Sequence, residues 1–148
     1  MSFQFRLQAL LELRARTRDT ARQNLADALA AQREIDARRN EVSGDIRQHE
    51  DRTRQLATGR INIAQLNRQR HYLTHLGQTL RDSEKEAAEA AKVVEQRQNE
   101  LAIAEQEVRL LEKLRDKQSE EFYRGQEKKA ELQREEAWLN SRSSETPS

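Results

Sequence analysis

Apolar residues recur every seven positions through the second part of this chain, and that repeat decides most of what it can fold into. Counting in sevens from Leu66 meets Leu73, Leu80, Ala87, Val94, Leu101 and Val108, then Arg115 and Phe122. Three positions after these stand Gln69, Leu76, Ser83, Ala90, Arg97, Ala104 and Leu111, and later Leu132 and Leu139. Interleaved sevens of this kind lay one seam along one side of an α-helix. A second seam runs through Leu7, Leu11, Arg14, Arg18, Ala21, Leu25, Ala28, Gln32, Ile35, Arg39, Val42, Ile46, His49, Thr53 and Leu56. It is weaker, with three arginines in it, but its spacing never slips. A strict seven-residue period predicts a left-handed supercoil.

Composition removes the other architectures. One proline and four glycines in 148 residues allow too few turns for a sandwich, a barrel or a doubly wound α/β fold. Hydrophobic residues at 34% and aromatics at 4% cannot fill a thick core. Charged residues reach 36%, yet 27 basic against 26 acidic side chains leave +1, a balance that argues against nucleic acid as partner. No cysteine is present, which excludes disulfides, thiolate metal sites and cysteine nucleophiles. No apolar run approaches the ~18 residues of a membrane span, and Phe3–Arg14 lacks a signal-peptide layout. A cytoplasmic protein is expected.

The two seams are separated by Thr58-Gly59-Arg60-Ile61-Asn62-Ile63. Gly59 can take the left-handed conformation that ends a helix. Asn62 stands as an N-cap with Gln65 three residues on, and Ile61 and Leu66 are spaced for a hydrophobic staple. The sequence therefore predicts an all-α fold, a long two-helix antiparallel coiled-coil hairpin. Residues 1–57 hold helix one, helical from about Phe3, and 58–62 the turn. Helix two covers 63–140, and 141–148 form a disordered tail. With Leu56 facing Leu66, the layers become His49–Leu73, Ile46–Leu76, Val42–Leu80, Ile35–Ala87, Ala28–Val94 and Leu11–Leu111. The second helix then outruns the first from about residue 119, leaving Phe122, Leu132, Trp138 and Leu139 without a covering partner. Residues Phe3, Phe5, Leu7, Leu10, Leu11 and Leu13 likewise give more apolar surface than one helix can cover. Uncovered heptads imply a further partner.

Candidates for chemistry are few. His71 and His75 share a helix face at a spacing that can hold a metal, with His49 at the same level, but no third ligand stands nearby. They read as surface and seam histidines. The glycines are too scattered for a phosphate loop, and carboxylates on solvated helices lack the burial that tunes an acid or base. Pairs such as Glu34/Arg38, Glu105/Arg109 and Glu120/Arg124 read as helix support. Gly44 and Gly77, placed at one height by the register, read as tolerated helix glycines rather than a compliant point. No catalytic, cofactor or metal site is expected, and the chain is not expected to be an enzyme.

The opening aromatic-Arg6-Leu7-Gln8 run with Leu10, Leu11, Leu13 and Arg14, the Tyr72-Leu73…Leu76 segment, the Leu111-Glu112-Lys113-Leu114-Arg115 block and the charged stretch after Phe122-Tyr123 resemble the FliJ family. The likeness covers nearly the whole chain. It implies a non-enzymatic stalk and general chaperone of flagellar protein export. That stalk docks in the ring of the export ATPase FliI, contacts the export gate FlhA and helps cycle export chaperones. Such a protein would be monomeric when free and would sit on the cytoplasmic face of the inner membrane through the export apparatus. On this reading Phe3, Phe5, Leu7, Leu10, Leu13 and Phe122 dock into the ring, and Arg6, Arg14, Lys113 and Arg115 meet acidic residues there. Ile46, His49, Tyr72 and Leu76 would form a gate-facing tip. One aromatic near the tip and a loosely matching Arg134-Glu135-Glu136 depart from the family pattern. Two rivals stay open: the equivalent stalk of a virulence-type secretion system, and a generic coiled-coil scaffold.

Overall fold

The computed structural model describes residues 2–145. It contains two helices, α1 (Gln8–Leu56, 49 residues) and α2 (Ile63–Ser144, 82 residues), and no strand among the described residues. They fold back on one another as an antiparallel helical hairpin. Every predicted seam position from Leu7 to Leu56, and from Leu66 to Phe122, is buried or half-buried, while His71 and His75 between them are exposed. Burial is nonetheless shallow. Among the described residues the core comprises Phe5, Leu11, Ala21, Leu66, Leu76, Val94, Ala104 and Val108, and the deepest of these, Val108, keeps 2% of its surface. Two helices can offer each seam residue cover on one side only, so the core is a single row of contacts.

The turn forms as its residues require. At the end of α1, Ala57 N–H donates to the Thr53 carbonyl at 3.0 Å, and the Thr58 hydroxyl donates to the Gln55 carbonyl at 2.9 Å. Gly59 then takes φ +80°, a conformation that strains any residue with a Cβ. The Asn62 side chain accepts a hydrogen bond from Gln65 N–H at 3.3 Å, and Leu66 N–H donates to the Asn62 carbonyl at 3.0 Å. This is the N-cap arrangement, worth about 1 kcal/mol. Leu66 is buried, but Ile61, spaced to staple onto it, stays half exposed.

Two compact units make up the chain: Thr20–Ala102, and Met1–Asp19 with Ile103–Ser148. In the first, His49 hydrogen-bonds Gln69 at 3.1 Å and Arg38 pairs with Glu86 at 3.8 Å. Ala28, Ala31 and Ile35 line one shallow groove with Glu86, Ala90 and Val93. These partners lie within a few residues of the register with Leu56 opposite Leu66. In the second unit, Phe5, Leu11 and Val108 cluster with Phe3, Leu7 and Leu111 around them.

Arginines within the seam all find a carboxylate near the rim. Arg14 pairs with Glu107, Arg18 with Asp19, Arg39 with Asp36, Arg97 with Glu100 and Arg115 with Asp116, at 3.0–3.5 Å. Their stems cover the seam while the heads reach water. Each exposed pair contributes at most about 1 kcal/mol, so covering apolar surface is their larger contribution.

Three expectations are corrected. The helix does not begin near Phe3: residues 2–5 have no regular structure, Arg6–Leu7 form a turn, and α1 starts at Gln8, with Gln8 N–H bonded to the Phe5 carbonyl at 3.1 Å. This segment covers what a helix would have left open. A helical Phe3 would face Ser119, but non-helical residues rise farther than the 1.5 Å of a helix, and Phe3 reaches Phe122, ring centroids 5.7 Å apart. Phe122 is therefore half-buried rather than uncovered, and the stretch in which every residue is exposed begins beyond Gln126. Lastly, Ser141–Ser144 continue α2, with Ser141, Ser143 and Ser144 hydroxyls returned to carbonyls three residues back. The remainder of the predicted tail, 146–148, lies outside the described residues.

Gly44 and Gly77 have open space where a Cβ would stand, so no close approach requires either glycine. Gly44→Ala and Gly77→Ala should each stabilise the hairpin by about 1 kcal/mol, seen as a higher urea midpoint. A lower midpoint would mean that local compliance, not tolerance, keeps them.

Candidate protein-docking surface

Which of the residues expected at a docking end are in fact free to touch a partner follows from burial. Phe5 is buried at 9% exposure, Leu7 packs against the same cluster, and Phe3 and Phe122 cover each other. These four serve the fold. Phe5, expected among the ring-docking residues, is instead turned inward by the non-helical segment. Arg6 and Lys113 are exposed, Leu10 is half-buried, and Leu13 is 53% exposed. Arg14 is tied to Glu107 at 3.4 Å, and Arg115 to Asp116 at 3.5 Å.

That Arg14–Glu107 pair marks one flank of the unit where α1 and α2 meet. On a helix, residues three and four apart are neighbours. Leu10 lies one turn before Arg14 and Leu13 beside it, while Ile103 and Leu110 lie one turn to either side of Glu107. Leu114 follows one turn beyond Leu110. Ile103 and Leu110 are each 59% exposed and Leu114 is 36% exposed. The result is an apolar flank whose rim carries Arg14, Glu107 and Lys113. Ile103, Leu110 and Leu114 escaped the sequence reading. Their signal was a second stripe, with Ile103 and Leu110 seven apart and Leu114 four further, running parallel to the seam and outscored by it.

Farther along α2, residues 127–145 are exposed throughout. They carry Leu132, Trp138 and Leu139, each 57–58% exposed, with the Arg142 guanidinium 4.8 Å over the Trp138 ring. In the other unit, Leu76 is buried at 6% exposure, so it supports the predicted tip from within rather than facing a partner. Ile46 is half-buried. His49 is half-buried and meets Tyr72 edge to face, centroids 4.7 Å apart, and Tyr72 is 43% exposed. Among the described residues no polar or charged side chain is buried, no group of three His, Asp or Glu could hold a metal ion, and no helix is long and apolar enough to cross a membrane.

Two long helices and a single-row core define an all-α protein built on one helix pair. The family model described as Flagellar FliJ protein matches residues 3–139. The chain belongs to the FliJ family, components of the flagellar protein export apparatus. No curated protein and no solved structure matches it.

Proposed function

We propose that this chain is a non-enzymatic stalk and general chaperone of flagellar export, joining the ring of the export ATPase FliI to the export gate FlhA and assisting the cycling of export chaperones. The observation that supports it is the exposed apolar flank of Leu13, Ile103, Leu110 and Leu114 beside the packed seam. Leu10 extends that flank, and Arg6, Arg14, Lys113 and Arg115 supply basic groups for acidic residues of the ring. Phe3, Phe5, Leu7 and Phe122 contribute by shaping the unit from behind. His49, Tyr72 and Ile46 are the residues through which a gate contact would run, with Leu76 holding them in place. On this reading the free protein is a monomer in the cytoplasm, held at the inner membrane through the apparatus.

Apolar anchors dominate affinity in such interfaces, while rim charges set orientation and on-rate. Leu110→Ala combined with Leu114→Ala should weaken binding to the purified ATPase at least tenfold with an unchanged melting curve. Arg6→Glu should slow association and make it more salt-sensitive. Titration of each variant against the ATPase measures this, and full binding by the double variant would mean that the flank is not the docking surface.

A further inference from the structure

Charge is not spread evenly along the chain. Between Asp51 and Asp82 there is no carboxylate, yet residues 52–81 hold Arg52, Arg54, Arg60, Arg68, Arg70 and Arg81, together with His71 and His75. Those positions carry +6, and the rest of the chain −5. Five of the six arginines lie within about 10 Å of the turn along the helix axes, at 1.5 Å per residue. All six are exposed. Arg54 leans to Asp51 at 3.4 Å, with both side chains more than two-thirds exposed, and Arg81 donates to Gln78 at 2.9 Å. Arg52, Arg60, Arg68 and Arg70 have no ion-pair partner among the described residues. At the centre of this ring of charge stand Ile61 at 53% and Ile63 at 70% exposure, the latter the highest among the exposed large apolar side chains.

We infer that the hairpin turn binds directly to an anionic phospholipid surface, with the arginines on headgroup phosphates and Ile61 and Ile63 dipping into the interface. Arginine suits phosphate because its planar fork donates two parallel hydrogen bonds and dehydrates more readily than lysine. Apolar side chains amid basic ones are the composition of a surface that lies in a headgroup layer. A tight turn is convex and narrow. A protein partner would have to offer a matching concavity to bury the ~800 Å² per side of an ordinary interface, whereas a fluid bilayer moulds itself to the tip. Nucleic acid would reward the arginines but not the isoleucines, and Tyr72, the one aromatic nearby, is already engaged with His49.

Each arginine at an anionic leaflet gains roughly fivefold in association. The five near the turn together reach on the order of a few thousandfold, below the scale of a single acyl chain, which itself binds reversibly and needs a second contact to hold. The tip would therefore add to, rather than replace, attachment through the export apparatus.

The test is sedimentation of the full chain with vesicles of phosphatidylglycerol mixed into phosphatidylcholine, and with phosphatidylcholine alone. Binding is expected to the anionic vesicles only, and to weaken from low to physiological salt. Replacing Arg52, Arg60, Arg68 and Arg70 by Gln should lower it about a hundredfold or more, while Lys at the same four positions should retain most of it. Ile61→Ser with Ile63→Ser should remove the part that survives added salt. Circular dichroism checks that all variants melt with the parent. Equal binding to both vesicles, or parental binding by the Gln variant, would overturn the inference. So would a chain that ignores vesicles and is retained by immobilised polyglutamate or single-stranded DNA, which would assign the tip to an acidic protein or a nucleic acid. ATPase binding measured on the same Gln variant should be unchanged, so failure of the lipid contact and failure of the docking flank can be told apart.

Discussion

Val108→Asp should abolish the packing of the unit that joins the amino-terminal segment to the second half of α2. Val108 retains 2% of its surface and sits between Phe5 and Leu11. A carboxylate there would enter an apolar cluster whose nearest seam base, Arg14, is already held by Glu107 at 3.4 Å, and burying a poorly paired charge costs several kcal/mol even after relaxation. In a single-row core no second layer can absorb the change. Phe5→Ala acts on the same cluster by leaving a cavity and should cost about 3 kcal/mol. Urea unfolding followed by circular dichroism gives the totals. Hydrogen exchange at residues 9–19 and 103–118 locates them. A Phe5→Ala chain as stable as the parent would restore Phe5 to the role of a surface anchor.

Leu76→Ala carries the second large effect, a loss of about 2–4 kcal/mol. Leu76 is 6% exposed and lies close to the turn, where neighbouring seam positions Val42, Ile46, Leu73 and Leu80 are also aliphatic. Ser83→Ala, two turns on, should be near neutral. The Ser83 hydroxyl donates only to the Thr79 carbonyl of its own helix, at 3.0 Å, and alanine is the better helix former. Comparing the two urea midpoints separates a seam held by aliphatic layers from one held evenly along its length. Equal losses at Leu76 and Ser83 would contradict the first.

The parts of the fold legible from residues alone are those where one rule acts without a competitor. The seam could be read because a seven-residue repeat has no other use on a helix, and even Arg14, Arg18 and Arg39 obey it. Thr58 to Gln65 could be read because a left-handed glycine and an N-cap asparagine point to the same break. The amino terminus could not. Periodicity places a side chain only while the backbone stays helical, and before Gln8 it does not. Phe5, counted as facing outward on an extrapolated helix, therefore turns in, and Phe3 reaches Phe122. The docking flank was half legible: Leu10 and Leu13 drew notice as an apolar excess, but Ile103, Leu110 and Leu114 were hidden behind a stronger pattern on the same helix.

Water touches every layer of this seam, since even its deepest side chain keeps some surface. A protein built this way has little stability in reserve when alone, and any partner that binds only the folded hairpin adds to it by mass action, about 2.7 kcal/mol at a hundredfold excess over Kd. The cellular lifetime of such a chain then reports on its company. Where such partners are scarce, a larger share would be open at any moment and exposed to proteases, so the surviving amount of a hairpin held this way would follow the number of places waiting to receive it.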